Sequence, residues 1–150
     1  MITNSVSALS ERVASGPDLA DAARRLEAGG HDALKHHSLN PARSRRIMSS
    51  VREVLVADQF LLDPRGIAMA MRYTVPDISS RARVVENRVS TLIVAGTREA
   101  AFVEPCAFAE AEMPFVSVER VENAGHSPNA ETPAQFNQAV TRYFRQLLQA

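Results

Sequence analysis

The stretch Thr91-Leu92-Ile93-Val94-Ala95-Gly96 is an unbroken apolar run that ends on glycine. Strands covered on both faces, as in parallel sheets, read as continuous hydrophobic runs, whereas half-solvated strands alternate. The run therefore predicts a strand with helices on both sides. Downstream, Phe115-Val116-Ser117-Val118-Glu119-Arg120-Val121 alternates and predicts a second strand with one wetter face. Val103–Glu112 between them reads as a short helix. Thr132-Pro133 opens a terminal helix, with Phe136, Val140, Tyr143, Phe144 and Leu147 as its apolar stripe. Strand, helix, strand, helix implies two parallel strands joined by a right-handed crossover.

Upstream the pattern is helical to about Tyr73. Ser15-Gly16-Pro17-Asp18 opens a helix that should run to Ala28 and stop at Gly29-Gly30. A short further helix is expected around Asp32–His37. Asn40-Pro41 opens the next, with Ile47, Val51, Val54 and Leu55 facing inward. Asp63-Pro64 opens another, covering Ile67, Met69 and Met71. The polar, arginine-rich stretch Val75–Val89 reads as a connector. The expected division is residues 1–87, helical, and 88–150, α/β.

This reading leaves a sheet of two strands, which is rarely stable alone. The simplest resolution is that the rest of the sheet belongs to another polypeptide or to an upstream part of the same one. The alternative is an α+β domain whose helical first part covers a small complete sheet.

Composition bounds the function. The 150 residues balance 17 basic against 17 acidic side chains, so no field favours nucleic acid or an anionic membrane. The basic run Arg43, Arg45, Arg46 lacks interleaved aromatics and reads as the solvated face of a helix. The single cysteine, Cys106, excludes an internal disulfide and fits a reducing cytoplasm. No stretch reaches the roughly 18 apolar residues of a membrane span. Before Pro17 there is no apolar run of signal-peptide length. The expectation is a soluble cytoplasmic protein.

Two residues stand where chemistry is expected. Ligands of parallel α/β sheets bind beyond the carboxyl ends of strands. His126, in Asn123-Ala124-Gly125-His126-Ser127-Pro128-Asn129, lies just past the second strand, and a loop histidine there can act as general base. Glu99, in Gly96-Thr97-Arg98-Glu99, lies just past the first. If the strands are adjacent, both emerge at one edge, and a carboxylate there can fix the tautomer of the imidazole.

The run Thr91–Gly96, followed by Gly125-His126-Ser127-Pro128-Asn129-Ala130-Glu131-Thr132-Pro133 and Phe136, resembles the end of the α/β-hydrolases from about Arg88 to Leu148. In that family a strand ending in a glycine turn delivers the triad acid. The last strand is followed by a Gly-His pair, then by a Glu-x-Pro that starts the final helix. The helices from Pro17 to Tyr73 are similar in kind to the lid inserted before the last two strands. The resemblance implies a partial α/β-hydrolase fold: a helical lid-like region, then strand-helix-strand-helix.

Two departures stand out. The family's usual acid is aspartate, and here it is Glu99. The family's Gly-x-Ser-x-Gly nucleophile elbow is missing: the six glycines, at positions 16, 29, 30, 66, 96 and 125, provide no such pair. The elbow and oxyanion loop are expected before Met1.

The resemblance thus implies the C-terminal portion of a serine-type hydrolase acting on an ester or related acyl substrate. His126 would be the general base and Glu99 the orienting acid, with no cofactor and no metal. Alone, the chain is expected to hydrolyse little. The competing reading is a catalytically dead or truncated remnant that binds a partner chain, or itself, through an exposed sheet edge. A third reading treats the motif as coincidence within an unrelated α+β module.

Smaller signals have plainer readings. His31, Asp32, His36 and His37 cluster, and Asp32 and His36 could share a metal on a helix. No complete ligand set is evident, and a solvated helix end accounts for them. Cys106 reads as a small hydrophobe rather than a nucleophile. Met48, Met69, Met71 and Phe60 read as core or lid lining, which in a hydrolase would favour an apolar acyl group or ring.

Overall fold

The computed structural model describes residues 2–3, 7–11, 17–37 and 40–149. It divides into two compact units, Arg12–Ile78 and Met1–Glu11 with Ser79–Ala150. The sheet-bearing unit thus starts at Ser79 rather than at the expected Arg88, and it takes in the N-terminal residues.

That unit holds strands β1 (Ile2–Thr3), β2 (Thr91–Gly96) and β3 (Val116–Val121), all parallel, in the order β1-β2-β3. The expected two-stranded sheet is corrected by β1, which pairs Ile2 with Leu92 and Thr3 with Ile93. Two residues are too few to show a strand period in the sequence. All six residues of β2 are buried, as its continuous apolar run requires. Alternate side chains of a strand point to opposite faces. Ile93 and Ala95 accordingly pack with Phe102, Cys106 and Ala109, while Leu92 and Val94 pack with Val121, Ala124 and Tyr143.

The first face is covered by the helix Val103–Glu112, whose bounds match the sequence reading. The second is covered by the helix Pro133–Leu147, which buries Ala139 and Tyr143 and half-buries Phe136 and Val140. Its expected stripe is corrected at the end: Phe144 and Leu147 are exposed, while Ala139, outside the expected stripe, is buried. Between Val75 and Glu86 the expected connector is made of two 3-10 turns, Val75–Asp77 and Arg81–Glu86.

The helical unit begins with α1 (Pro17–His36), in which two helical segments meet at a kink at Gly30. Residues Ser15 and Gly16 of the expected start lie outside the described residues. Gly30 has φ 53 and ψ −136, a conformation that glycine alone adopts at little cost. The chain therefore breaks there, as expected, but the Asp32–His37 segment resumes helix at once. Next come α2 (Ser49–Asp58) and α3 (Pro64–Met69), the latter widening into a π turn over Ala70–Thr74. In chain order the two helices of the sheet unit named above are α4 (Val103–Glu112) and, after the four-residue α5 (Pro128–Glu131), α6 (Pro133–Leu147).

Leu26, Leu34, Ala68 and Met71 belong to the core of the helical unit, and outside it Arg72 Nη2 donates to Glu27 Oε2 at 2.6 Å. The expected helix from Asn40-Pro41 is corrected. The Asn40 side chain accepts the Ala42 N–H and caps only a 3-10 turn, Pro41–Arg43, and α2 starts at Ser49. Arg45 and Arg46 therefore lie on bends, exposed, and not on a helix face. No residue of α2 is buried, and Val54 is exposed. Of the expected lining residues Met71 is buried, while Met48, Met69 and Phe60 are exposed. Among the described residues no helix is long and apolar enough to cross a membrane.

Candidate active site

The loops after β2 and β3 are laced together by main-chain bonds. Thr97 N–H donates to the Val121 carbonyl at 3.0 Å, and Arg98 N–H donates to the Ala124 carbonyl at 2.9 Å. Arg98 Nη2 also donates to Asn123 Oδ1 at 2.8 Å. Asn123 has φ 65, a left-handed turn that asparagine tolerates better than most residues. A Cβ on Gly96 would collide with the carbonyl oxygens of Gly125 and Ala124, so the β2 run has to end on glycine.

This lacing brings the two expected residues together. His126 Nδ1 lies 3.4 Å from Glu99 Oε2. The distance is within ion-pair range but longer than a good hydrogen bond. Glu99 is the more sheltered partner, with 28 % of its side chain exposed against 60 % for His126. With Nδ1 turned to the carboxylate, Nε2 is the nitrogen on the other side of the ring.

Two neighbours of His126 are not among the residues expected from the sequence. Phe102, buried at the entry to α4, places its ring 5.2 Å from the imidazole at an interplanar angle of 40°. Glu131 accepts the Gly125 N–H on Oε2 at 2.8 Å and the Ser127 N–H on Oε1 at 3.1 Å. The Glu131 signal is present in the Glu-x-Pro spacing, though spacing does not say which groups a carboxylate will accept. Phe102 carries no such signal, since any buried aromatic in that turn would read the same.

Glu99 and Phe102 also line a cavity of about 220 Å³ with Gly96, Thr97, Cys106 and Arg120. Burial pushes the Cys106 thiol up, which keeps it protonated and a poor nucleophile. Asp32 is engaged elsewhere: Lys35 Nζ bonds its Oδ1 at 2.7 Å and holds the carboxyl below the usual carboxylate range. Among the described residues no group of three or more His, Cys, Asp or Glu side chains could hold a metal ion.

Solved α/β-hydrolase structures share this architecture. MenH from S. aureus superposes with a TM-score of 0.71 at 18% identity, over 86% of this chain and 50% of its own. A thermophilic esterase from Thermogutta terrifontis superposes at 0.61 and 21% identity, over 88% of this chain and 52% of its own. A structure from work on carboxylesterases of Nitrososphaera gargenis gives 0.67 and 15%, over 93% and 54%. The chain thus spans about half the length of the structures it matches. No protein-family model matches the sequence, and no curated protein is significantly similar to it. The fold is that of part of an α/β-hydrolase, in agreement with the C-terminal portion expected from the sequence. The fold is therefore not the separate α+β arrangement of the third reading.

Proposed function

We propose that this chain carries the base and acid of a serine-type α/β-hydrolase acting on an ester or related acyl substrate. The observation that supports it is the 3.4 Å approach of His126 Nδ1 to Glu99 Oε2 at the ends of two neighbouring parallel strands. His126 Nε2 would take the proton of a nucleophilic hydroxyl as that oxygen attacks the acyl carbon. The same proton would pass to the departing alcohol as the ester C–O bond breaks. Water would then attack the acyl-enzyme and give its proton to His126, which returns it to the nucleophile's oxygen as the acyl–enzyme C–O bond breaks and the carboxylic acid leaves. Glu99 would hold the ring with Nδ1–H toward itself and stabilise the imidazolium that forms.

The nucleophile would come from a segment outside these 150 residues, joined to them or in another chain. The test is turnover of a p-nitrophenyl ester by the chain combined with a hydrolase segment carrying a Gly-x-Ser-x-Gly elbow. Replacing His126 with Ala should lower kcat by about 10³-fold or more. Turnover unchanged by that replacement would end the proposal.

A second reading, a remnant that binds a partner through its sheet edge, is favoured by β3, the outer strand of the sheet, which pairs with β2 on one side. It predicts that no such combination restores turnover and that the chain self-associates or captures a strand.

A further inference from the structure

We infer that Glu131 is the positioning residue of this site, acting on His126 through the backbone. The inference rests on the reading of His126 and Glu99 as base and acid. The carboxylate spans the histidine: Oε2 accepts the Gly125 N–H at 2.8 Å, and Oε1 accepts the Ser127 N–H at 3.1 Å. His126 lies between the two anchored amides, so its Cα is held from both sides by one rigid planar group. Bonds to an ionised acceptor are shorter and stronger than those between neutral groups.

The clamp matters because packing does not fix the ring. His126 has 60 % of its side chain exposed, and its ring contact is with Phe102. Gly125, directly before it, has the widest backbone freedom of any residue type. The backbone therefore sets where the imidazole leaves the chain, and Glu99 acts on a ring presented from that point. Glu131 is itself held in place, since its own N–H donates to the Ser127 carbonyl at 2.9 Å and Pro133 begins α6 two residues on.

Capping alone does not explain the arrangement. The bond to Ser127 N–H serves the start of α5, but Gly125 lies outside that helix. The bond to Gly125 N–H serves the loop that carries the histidine.

The test uses the 150-residue chain with ¹⁵N-labelled histidine and long-range ¹H–¹⁵N correlation at a pH where the ring is neutral. Wild type should show a bias to the Nδ1–H tautomer, and Glu99→Gln should abolish it. Glu131→Ala should abolish it as well while amide dispersion shows a folded chain. Glu131→Gln, which keeps one acceptor oxygen and the side-chain size, should reduce the bias. A folded Glu131→Ala chain with wild-type tautomer balance would overturn the inference and leave the Glu99 pairing intact. If Glu131→Ala does not fold, Glu131→Gln decides: an unchanged bias overturns the inference and a reduced one supports it. If Glu99→Gln changes nothing, the base–acid reading itself fails, and the positioning role falls with it.

Discussion

Gly96, the last residue of β2, faces the Gly125 backbone so closely that a methyl group on it would collide with the Gly125 carbonyl oxygen. This approach lets the loop after β2 run directly under the loop that carries His126. The collision would be with backbone, which cannot swing aside as a side-chain tip can. Gly96→Ala should therefore lower unfolding free energy by about 1–3 kcal/mol, the usual range for overpacking. Urea unfolding measures this, and an unchanged midpoint would show that the loops part freely.

Tyr143 buries its ring against Leu92, Val94 and Val121, yet its hydroxyl has no hydrogen-bond partner among the described residues. A buried hydroxyl without a partner costs roughly 1–3 kcal/mol, while the ring contributes by burial. Tyr143→Phe should raise the thermal midpoint, by an amount corresponding to about 1 kcal/mol. A loss of stability would mean that the hydroxyl is bonded in solution.

Much of the sheet unit is legible in the sequence because its signals are strong and local. The run Leu92-Ile93-Val94-Ala95 has no polar position, so it has to be buried on both faces, and α4 and α6 cover them. Two parallel neighbours place their following loops at one edge, which is how Glu99 and His126 meet. What is not legible depends on context. The two residues of β1 have no period of their own and are strand only because β2 offers them partners. Asn40-Pro41 carries a sound capping signal, but a capped turn has no obligation to continue, and this one gives way to extended backbone at Ser44. In α2 the apolar positions suggest an inward stripe, yet the helix buries none of them, so periodicity alone misplaces its residues.

Arg120 grips Glu110 with both nitrogens, at 2.7 and 2.6 Å, and holds that carboxyl below the usual carboxylate range. A carboxyl depressed in the folded state adds stability above its unfolded pKa, and this is lost as pH falls through the folded value. Both partners are more than a third exposed, so solvent screening limits the effect to about 1 kcal/mol or less. Wild type should exceed Glu110→Gln in stability at neutral pH, with the gap closing as the solution is acidified below the carboxylate range. A gap that persists in acid would assign the effect to packing rather than charge.

Cys106 is 2 % exposed among Ile93, Phe102 and Ala109, and burial pushes its thiol up. Alkylation by iodoacetamide should be far slower in the native chain than in urea, with the rate following unfolding. Fast labelling of the native chain would show that the cavity beside Glu99 admits reagents and that the thiol is activated.

Whether Glu99 and His126 act as a pair is tested most directly by the ¹⁵N spectrum of the neutral His126 ring. The 3.4 Å approach of Nδ1 to Oε2 predicts a bias toward the Nδ1–H tautomer in wild type that disappears in Glu99→Gln. The same tautomer balance in both proteins would contradict the pairing, and with it the hydrolase site proposed for this chain.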